Sequence, residues 1–146
     1  MLSDLLKTLL ATNFAYYLKA HGFHWNVEGS DFYQLHKFFQ KVYEDAYEAN
    51  DTIAEYIRTL QDYAPASFER FSELTEIQGQ TKIPRARLMI EELLANTEQM
   101  ISIYNQVFDT ATSEREQGIA NFAADRISAH GKFAWMLRSF LKDNRE

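Results

Sequence analysis

The sequence predicts an all-α fold: four long helices packed as a bundle, with a short extra helix in the long crossover between the second and third. Three observations lead there. The 146 residues include only two prolines and five glycines, too few for the turns of an all-β fold. Apolar residues recur every three or four positions over stretches far longer than a strand. Hydrophobic residues make up 46% of the chain, enough for a sizeable core, and one domain spanning 1–146 is expected.

The first helix is expected over Ser3–Val27, where Leu6, Leu10, Phe14, Tyr17, Leu18, His21, His24 and Trp25 keep helical spacing. Glu28-Gly29-Ser30 breaks it, and Ser30 or Asp31 can cap the next helix. The second helix is expected over Phe32–Leu60, with a stripe of Phe32, Leu35, Phe39, Val42, Ala46, Ala49, Ile53, Ile57 and Leu60. The connection from Gln61 to Ile83 is long. It holds Pro65 and an amphipathic piece, Phe68–Leu74, that reads as the small extra helix. Pro84 suits the first turn of the third long helix, whose apolar residues run from Leu88 to Phe108. Ser113 with Glu116 resembles a capping box opening the fourth, although Gly118 is a poor residue for that turn and would favour a later start. Ile119, Phe122, Ile127, Phe133, Leu137 and Phe140 form its apolar face. Short links inside each helix pair and a long link between them describe two helical hairpins joined by a crossover.

Composition removes several function classes. With no cysteine there are no disulfides, thiolate metal sites or cysteine nucleophiles, and a reducing cytoplasm is a compatible location. No apolar run approaches the ~20 residues that span a bilayer, so no membrane association is expected. Met1-Leu2-Ser3-Asp4 is not the basic start of a secretory signal. The net charge is −6, and the only gathering of positive charge, Lys82 with Arg85 and Arg87, reads as a solvated helix start. Direct DNA binding is therefore expected to be weak or absent, the more so because the segment Leu141–Glu146 is short and mixed in charge. An acidic surface attracts cations instead. No Gly-x-Ser-x-Gly motif supports a hydrolytic triad.

The residues that carry chemistry are His24, His36, Gln40, Asp51 and Glu55. His36 and Gln40 are four apart, and so are Asp51 and Glu55, which sets each pair on one side of a helix, one turn apart. His36 and Asp51 are 15 residues apart on the same helix. That is roughly 22 Å of rise, too far to share an ion, yet it returns to within roughly 60° around the axis. Antiparallel pairing with a second copy would bring His36 of one chain to Asp51 and Glu55 of the other, and a twofold dimer would make two such sites. His24 could join from the end of the first helix. Two imidazoles with two carboxylates suit Fe, Mn or Zn and rarely Ca or Mg. The same residues also fit a plainer description, capped core histidines and a solvated acidic face. The other aromatic and imidazole groups, Trp25, Tyr43, Tyr47, His21 and His130, read as packing or structural residues.

His24-Trp25-Asn26-Val27, Gly29, Phe32, Leu35-His36 and Asp51-Thr52-Ile53-Ala54-Glu55 resemble the Dps family of mini-ferritins, and Lys132 with Trp135-Met136-Leu137-Arg138 looks like that family's last helix. The resemblance implies a ferritin-like bundle whose ferroxidase ligands match His24, His36, Asp51 and Glu55, bridging twofold-related subunits. It implies a dodecameric shell that oxidises Fe(II), preferably with hydrogen peroxide, oxygen being the other acceptor, and holds ferric mineral. It also implies a two-position iron site; by donor type alone, Zn or Mn could stand in place of iron. Ordinary ferritins instead use a Glu-x-x-His pair within one subunit, and no such pair occurs here.

This chain departs from the family pattern in several places. Gln40 stands where an acid is frequent, so the second metal position is expected to be weak. Tyr56 follows Glu55 in place of a common arginine, and Gly131 precedes Lys132 in place of an acid. Asn121 falls where the family sets an acid near the threefold iron-access pore, with Glu114, Glu116 and Asp125 as substitutes or as a solvated face. Gln40 thus leaves a second reading, a shell or metal-binding protein with weak or no oxidase activity. A metal-assisted hydrolase is a more distant one.

Overall fold

The computed structural model describes residues 1–142. Residues 143–146, most of the short, mixed-charge segment at the end of the chain, lie outside the described residues. Five helices run in order: α1 (Leu2–Asn26), α2 (Phe32–Thr59), α3 (Phe68–Leu74), α4 (Ala86–Ser113) and α5 (Gln117–Phe140), with no strand among the described residues. α1 pairs with α2, α4 pairs with α5, the two hairpins meet through α1 and α4, and α3 packs on α1. None of these helices is long and apolar enough to cross a membrane.

The apolar stripe of α2 enters the core as Leu35, Phe39, Val42, Ala46, Ala49, Ile53 and Ile57. Leu6, Leu9 and Leu10 of α1, Leu93, Met100 and Val107 of α4 and Ile119, Phe133 and Leu137 of α5 face it. A few buried polar side chains tie helices together. Asn13 donates from Nδ2 to the Ala46 carbonyl at 2.8 Å and to Asn50 Oδ1 at 2.7 Å, joining α1 to α2. Tyr16 donates to Thr97 Oγ1 at 2.7 Å, because that hydroxyl gives its own proton to the Leu93 carbonyl.

The turn between α1 and α2 needs Gly29, whose φ of 117° is open to glycine and strained for any side chain. The crossover is held by the Ser67 hydroxyl, which accepts from Arg70 N at the start of α3, and by Thr12 Oγ1, which accepts from Glu76 N.

Two helix boundaries differ from the sequence-based expectation. α4 starts at Ala86, because Arg85 is extended (ψ 162°), so Pro84 stays outside the first turn. Ser113 and Glu116 form no capping box. α4 continues through Ser113, since Ala111 is still buried, and Glu116 makes no side-chain cap bond. The turn closes through the backbone: Glu116 N reaches Ala111 O at 2.8 Å and Arg115 N reaches Thr112 O at 3.1 Å, with Arg115 at φ 60°. Gln61, at φ 65°, ends α2 with the same pair of bonds, Asp62 N to Ile57 O and Gln61 N to Arg58 O. These are Schellman endings without the usual glycine. Gly118 lies within the first turn of α5 after all.

Candidate metal centre

The last turn of α1 and the first turns of α2 face each other across the Gly29 turn, which brings His24 and His36 together. Their rings stack at 3.8 Å between centroids and 16° between planes. Each Nδ1 is hydrogen-bonded to the other residue's backbone carbonyl, His24 Nδ1 to His36 O at 2.7 Å and His36 Nδ1 to His24 O at 2.8 Å. A carbonyl only accepts, so both Nδ1 atoms carry the proton. In the neutral ring this leaves Nε2 as the lone-pair atom, and neither Nε2 is sealed off without a partner. Hydrogen bonds to the far ring nitrogen set the tautomer and orientation of metal-binding imidazoles. Phe32 lies against His36 at 5.1 Å and Tyr43 against His24 at 5.1 Å, which limits rotation of both rings.

Gln40 sits one turn beyond His36 and is half-buried, while Asp51 and Glu55 are exposed further along α2. The chain thus brings the two histidines together and sets the two carboxylates beside each other, but it keeps the pairs apart. No group of three His, Asp or Glu side chains able to hold a metal forms within one chain among the described residues. Asp51 lies on the rim of an open groove of about 820 Å³ lined by Leu10, Phe14, Tyr47, Ala54 and Phe68. Trp25 is 61% exposed and Tyr47 60%, and Phe32 and Tyr33 are exposed as well, so large aromatic side chains on α1 and α2 stand uncovered in the single chain.

The remaining histidines are structural. The His21 ring lies parallel to Tyr43 at 3.7 Å, contacts Trp25 at 4.1 Å, and its Nδ1 pairs with the Tyr17 hydroxyl at 2.9 Å. Burial, then the neighbouring His24, moves its pKa down. His130 is wholly buried in α5, and burial, followed by the charge of Arg126, pushes its pKa down to about 3. Asn121, Glu114 and Asp125 are exposed and Glu116 is half-buried.

Sequence reasoning did not reach one polar cluster in the bundle interior. Arg126 of α5 binds Asp45 of α2 through two bonds, Nη1 to Oδ1 at 3.1 Å and Nη2 to Oδ2 at 2.5 Å. The same Nη2 lies 3.1 Å from His130 Nε2, and the guanidinium stands over the Tyr104 ring. Asp45 and Arg126 are 81 residues apart, so no local spacing signals the pair. A second buried cation, Lys19, is held by Glu92 and Asn96.

Three comparisons bear on this arrangement. The ferritin-like domain family matches residues 3–146. Among relatives, an uncharacterized low temperature-induced protein of Nostoc is 34% identical, over 95% of this chain and 79% of its own length. A DNA protection during starvation protein of Helicobacter pylori is 28% identical, over 94% of this chain and 96% of its own. Among solved structures, Dps from Thermosynechococcus elongatus superposes with a TM-score of 0.95 at 25% identity, covering 98% of this chain and 91% of that one. Dps from Vibrio cholerae, described as a member of a broad superfamily of ferritin-like diiron-carboxylate proteins, does so with a TM-score of 0.92 at 28% identity, covering 97% and 89%.

Proposed function

This chain belongs to the Dps family of ferritin-like mini-ferritins, and from that premise we propose that it oxidises Fe(II) at sites shared between twofold-related copies and stores the ferric product inside a closed shell of twelve. One observation carries the reading. The reciprocal Nδ1–carbonyl bonds fix the His24 and His36 rings and leave both Nε2 atoms for a ligand role, and among the described residues no carboxylate of the same chain completes the set.

Antiparallel apposition of two α2 helices supplies the missing ligands. The midpoint between His36 and Asp51 falls at Tyr43 and Glu44. A twofold axis there sets His36 opposite Asp51 of the partner subunit, with Glu55 of the partner subunit one turn away. Two carboxylates balance the charge of one Fe(II), and the imidazoles add directional nitrogen ligands. Oxidation adds a third positive charge that the ligands do not balance, which favours hydrolysis of the ferric ion. Two Fe(II) ions lose one electron each, and hydrogen peroxide takes both as its O–O bond breaks; oxygen is the alternative acceptor. Gln40 offers only a neutral amide oxygen, so one iron binds tightly and the second weakly. That same residue favours the alternative reading, a Dps-like shell with weak or no ferroxidase activity. Zn or Mn would fit the same donors. The cysteine-free chain suits the cytoplasm.

Complementation tests the shared site. His24→Ala/His36→Ala and Asp51→Ala/Glu55→Ala chains should each be inactive alone, measured by ferric absorbance after Fe(II) and peroxide are added. Co-assembled, each mixed dimer regains one complete site, with His24 and His36 from one variant and Asp51 and Glu55 from the other. Absence of recovered oxidation in verified mixed dimers would reject the shared site.

A further inference from the structure

The polar cluster in the bundle interior is built like a metal site, with a guanidinium where the ion would be. Each long helix contributes to it: Tyr16 from α1, Asp45 from α2, Tyr104 from α4, Arg126 and His130 from α5. Tyr16 and Tyr104 both pack against the His130 ring, at 5.3 and 5.5 Å. Helical bundles build their metal sites in this way, from side chains of facing helices converging in the core.

A single atom, Arg126 Nη2, is contacted by an Asp45 carboxylate oxygen and by His130 Nε2. Guanidinium nitrogens only donate, so His130 Nε2 offers its lone pair and the proton sits on Nδ1. A carboxylate oxygen and a neutral imidazole nitrogen, both directed at one positive centre, are the donors of a divalent transition metal. The Tyr104 hydroxyl is buried beside them with no hydrogen-bond partner, and so are Arg126 Nε and His130 Nδ1. Burial drives the Tyr104 pKa up to about 12, so its hydroxyl stays neutral beside the guanidinium.

We propose that the Arg126 guanidinium is a built-in cation occupying a latent metal position of the bundle interior, whose protein ligands are the Asp45 carboxylate and His130 Nε2. While Arg126 is present, the charge of Asp45 is compensated and the imidazole lone pair is engaged, so the interior has no vacancy for a metal. Arg126 thereby keeps metal at the His24 and His36 face. Without it, a carboxylate that is 32% exposed and a buried imidazole remain unpaired beside a space emptied of a long side chain, an unfavourable state for the charge. A divalent metal relieves it.

The test is a Co(II) titration of the assembled protein in a His24→Ala/His36→Ala background, which removes the interface imidazoles and makes the outcome independent of the interface reading. That background alone should show no Co(II) bound at an interior imidazole. Adding Arg126→Ala should introduce one Co(II) per chain, seen as visible ligand-field absorption, and adding His130→Ala as well should abolish it. Arg126→Met, which fills the space without a charge, should bind none. If Arg126→Ala does not fold alone, Co(II) should restore its helical circular dichroism, and should fail to do so when His130 is also replaced. The inference is overturned if Arg126→Ala gains no metal, keeps it without His130, binds no more than Arg126→Met, or, where it does not fold alone, is not refolded by Co(II).

Discussion

Replacing His36 by asparagine should separate the two roles of its ring. Asparagine can set its Nδ2 amide where His36 Nδ1 stands, so the bond to the His24 carbonyl, 2.8 Å in the native chain, can persist. It has no atom at the Nε2 position, so the proposed metal ligand is gone. Alanine loses both. One neutral hydrogen bond contributes about 1 kcal/mol, and a carbonyl left without its partner adds about another 1 kcal/mol. The ring contacts to His24 and Phe32 add about 1 kcal/mol. His36→Ala should therefore cost about 2–3 kcal/mol, and His36→Asn about 1–2 kcal/mol less than that. Iron affinity should fall equally in both, by at least the roughly 10- to 100-fold typical of losing even an outer partner of a metal site. Urea unfolding followed by circular dichroism reads the first quantity, at one fixed protein concentration because association shifts apparent stability. Anaerobic Fe(II) titration reads the second. Native-like iron binding by His36→Asn would refute Nε2 as the ligand, and stability no better than that of His36→Ala would refute the reciprocal clasp.

Four further outcomes are expected. Gln40→Asp should convert the weak second iron position into a tight one, raising the equilibrium stoichiometry from one to two Fe(II) per site; an unchanged stoichiometry would remove the role given to Gln40. Asp45→Ala should strand the Arg126 cation and lower stability by about 2–3 kcal/mol in urea, below the roughly 3–5 kcal/mol of a fully buried pair because the carboxylate is 32% exposed. His130 gains its proton near pH 6.5 when unfolded but only near 3 when folded. Its contribution is complete above pH 6.5 and declines by up to about 1.4 kcal/mol per pH unit as pH falls toward 3. His130→Gln should flatten that part of the stability curve. With a net charge of −6, the protein should give no gel shift with DNA at physiological salt unless a divalent metal bridges the two.

The helical plan was legible because helix formation leaves a periodic record. The Phe68–Leu74 piece, bounded by Pro65 and capped by Ser67, is α3 with the same limits. The stripe from Leu35 to Ile57 is the buried face of α2. The boundaries that sequence reasoning misplaced are those where the expected marker residue is absent or misleading. Pro84 precedes α4 without entering its first turn, and Ser113 with Glu116 imitates a cap that the backbone makes unnecessary, Arg115 taking the left-handed conformation usually given to glycine.

The sequence by itself determined the four long helices, their hairpin order and the separation of His36 from Asp51, since rise per residue and periodicity are local properties of the chain. It also marked His24, His36, Asp51 and Glu55 as the residues with ligand chemistry, through type and spacing. The tertiary structure alone decided that each of the two imidazoles is locked by the other's backbone carbonyl, and that Asp45, Arg126 and His130 meet in the interior. Those contacts depend on which helix faces meet and at what height. That is a property of packing between segments 12 and 81 residues apart in the chain, and a one-dimensional pattern does not record it.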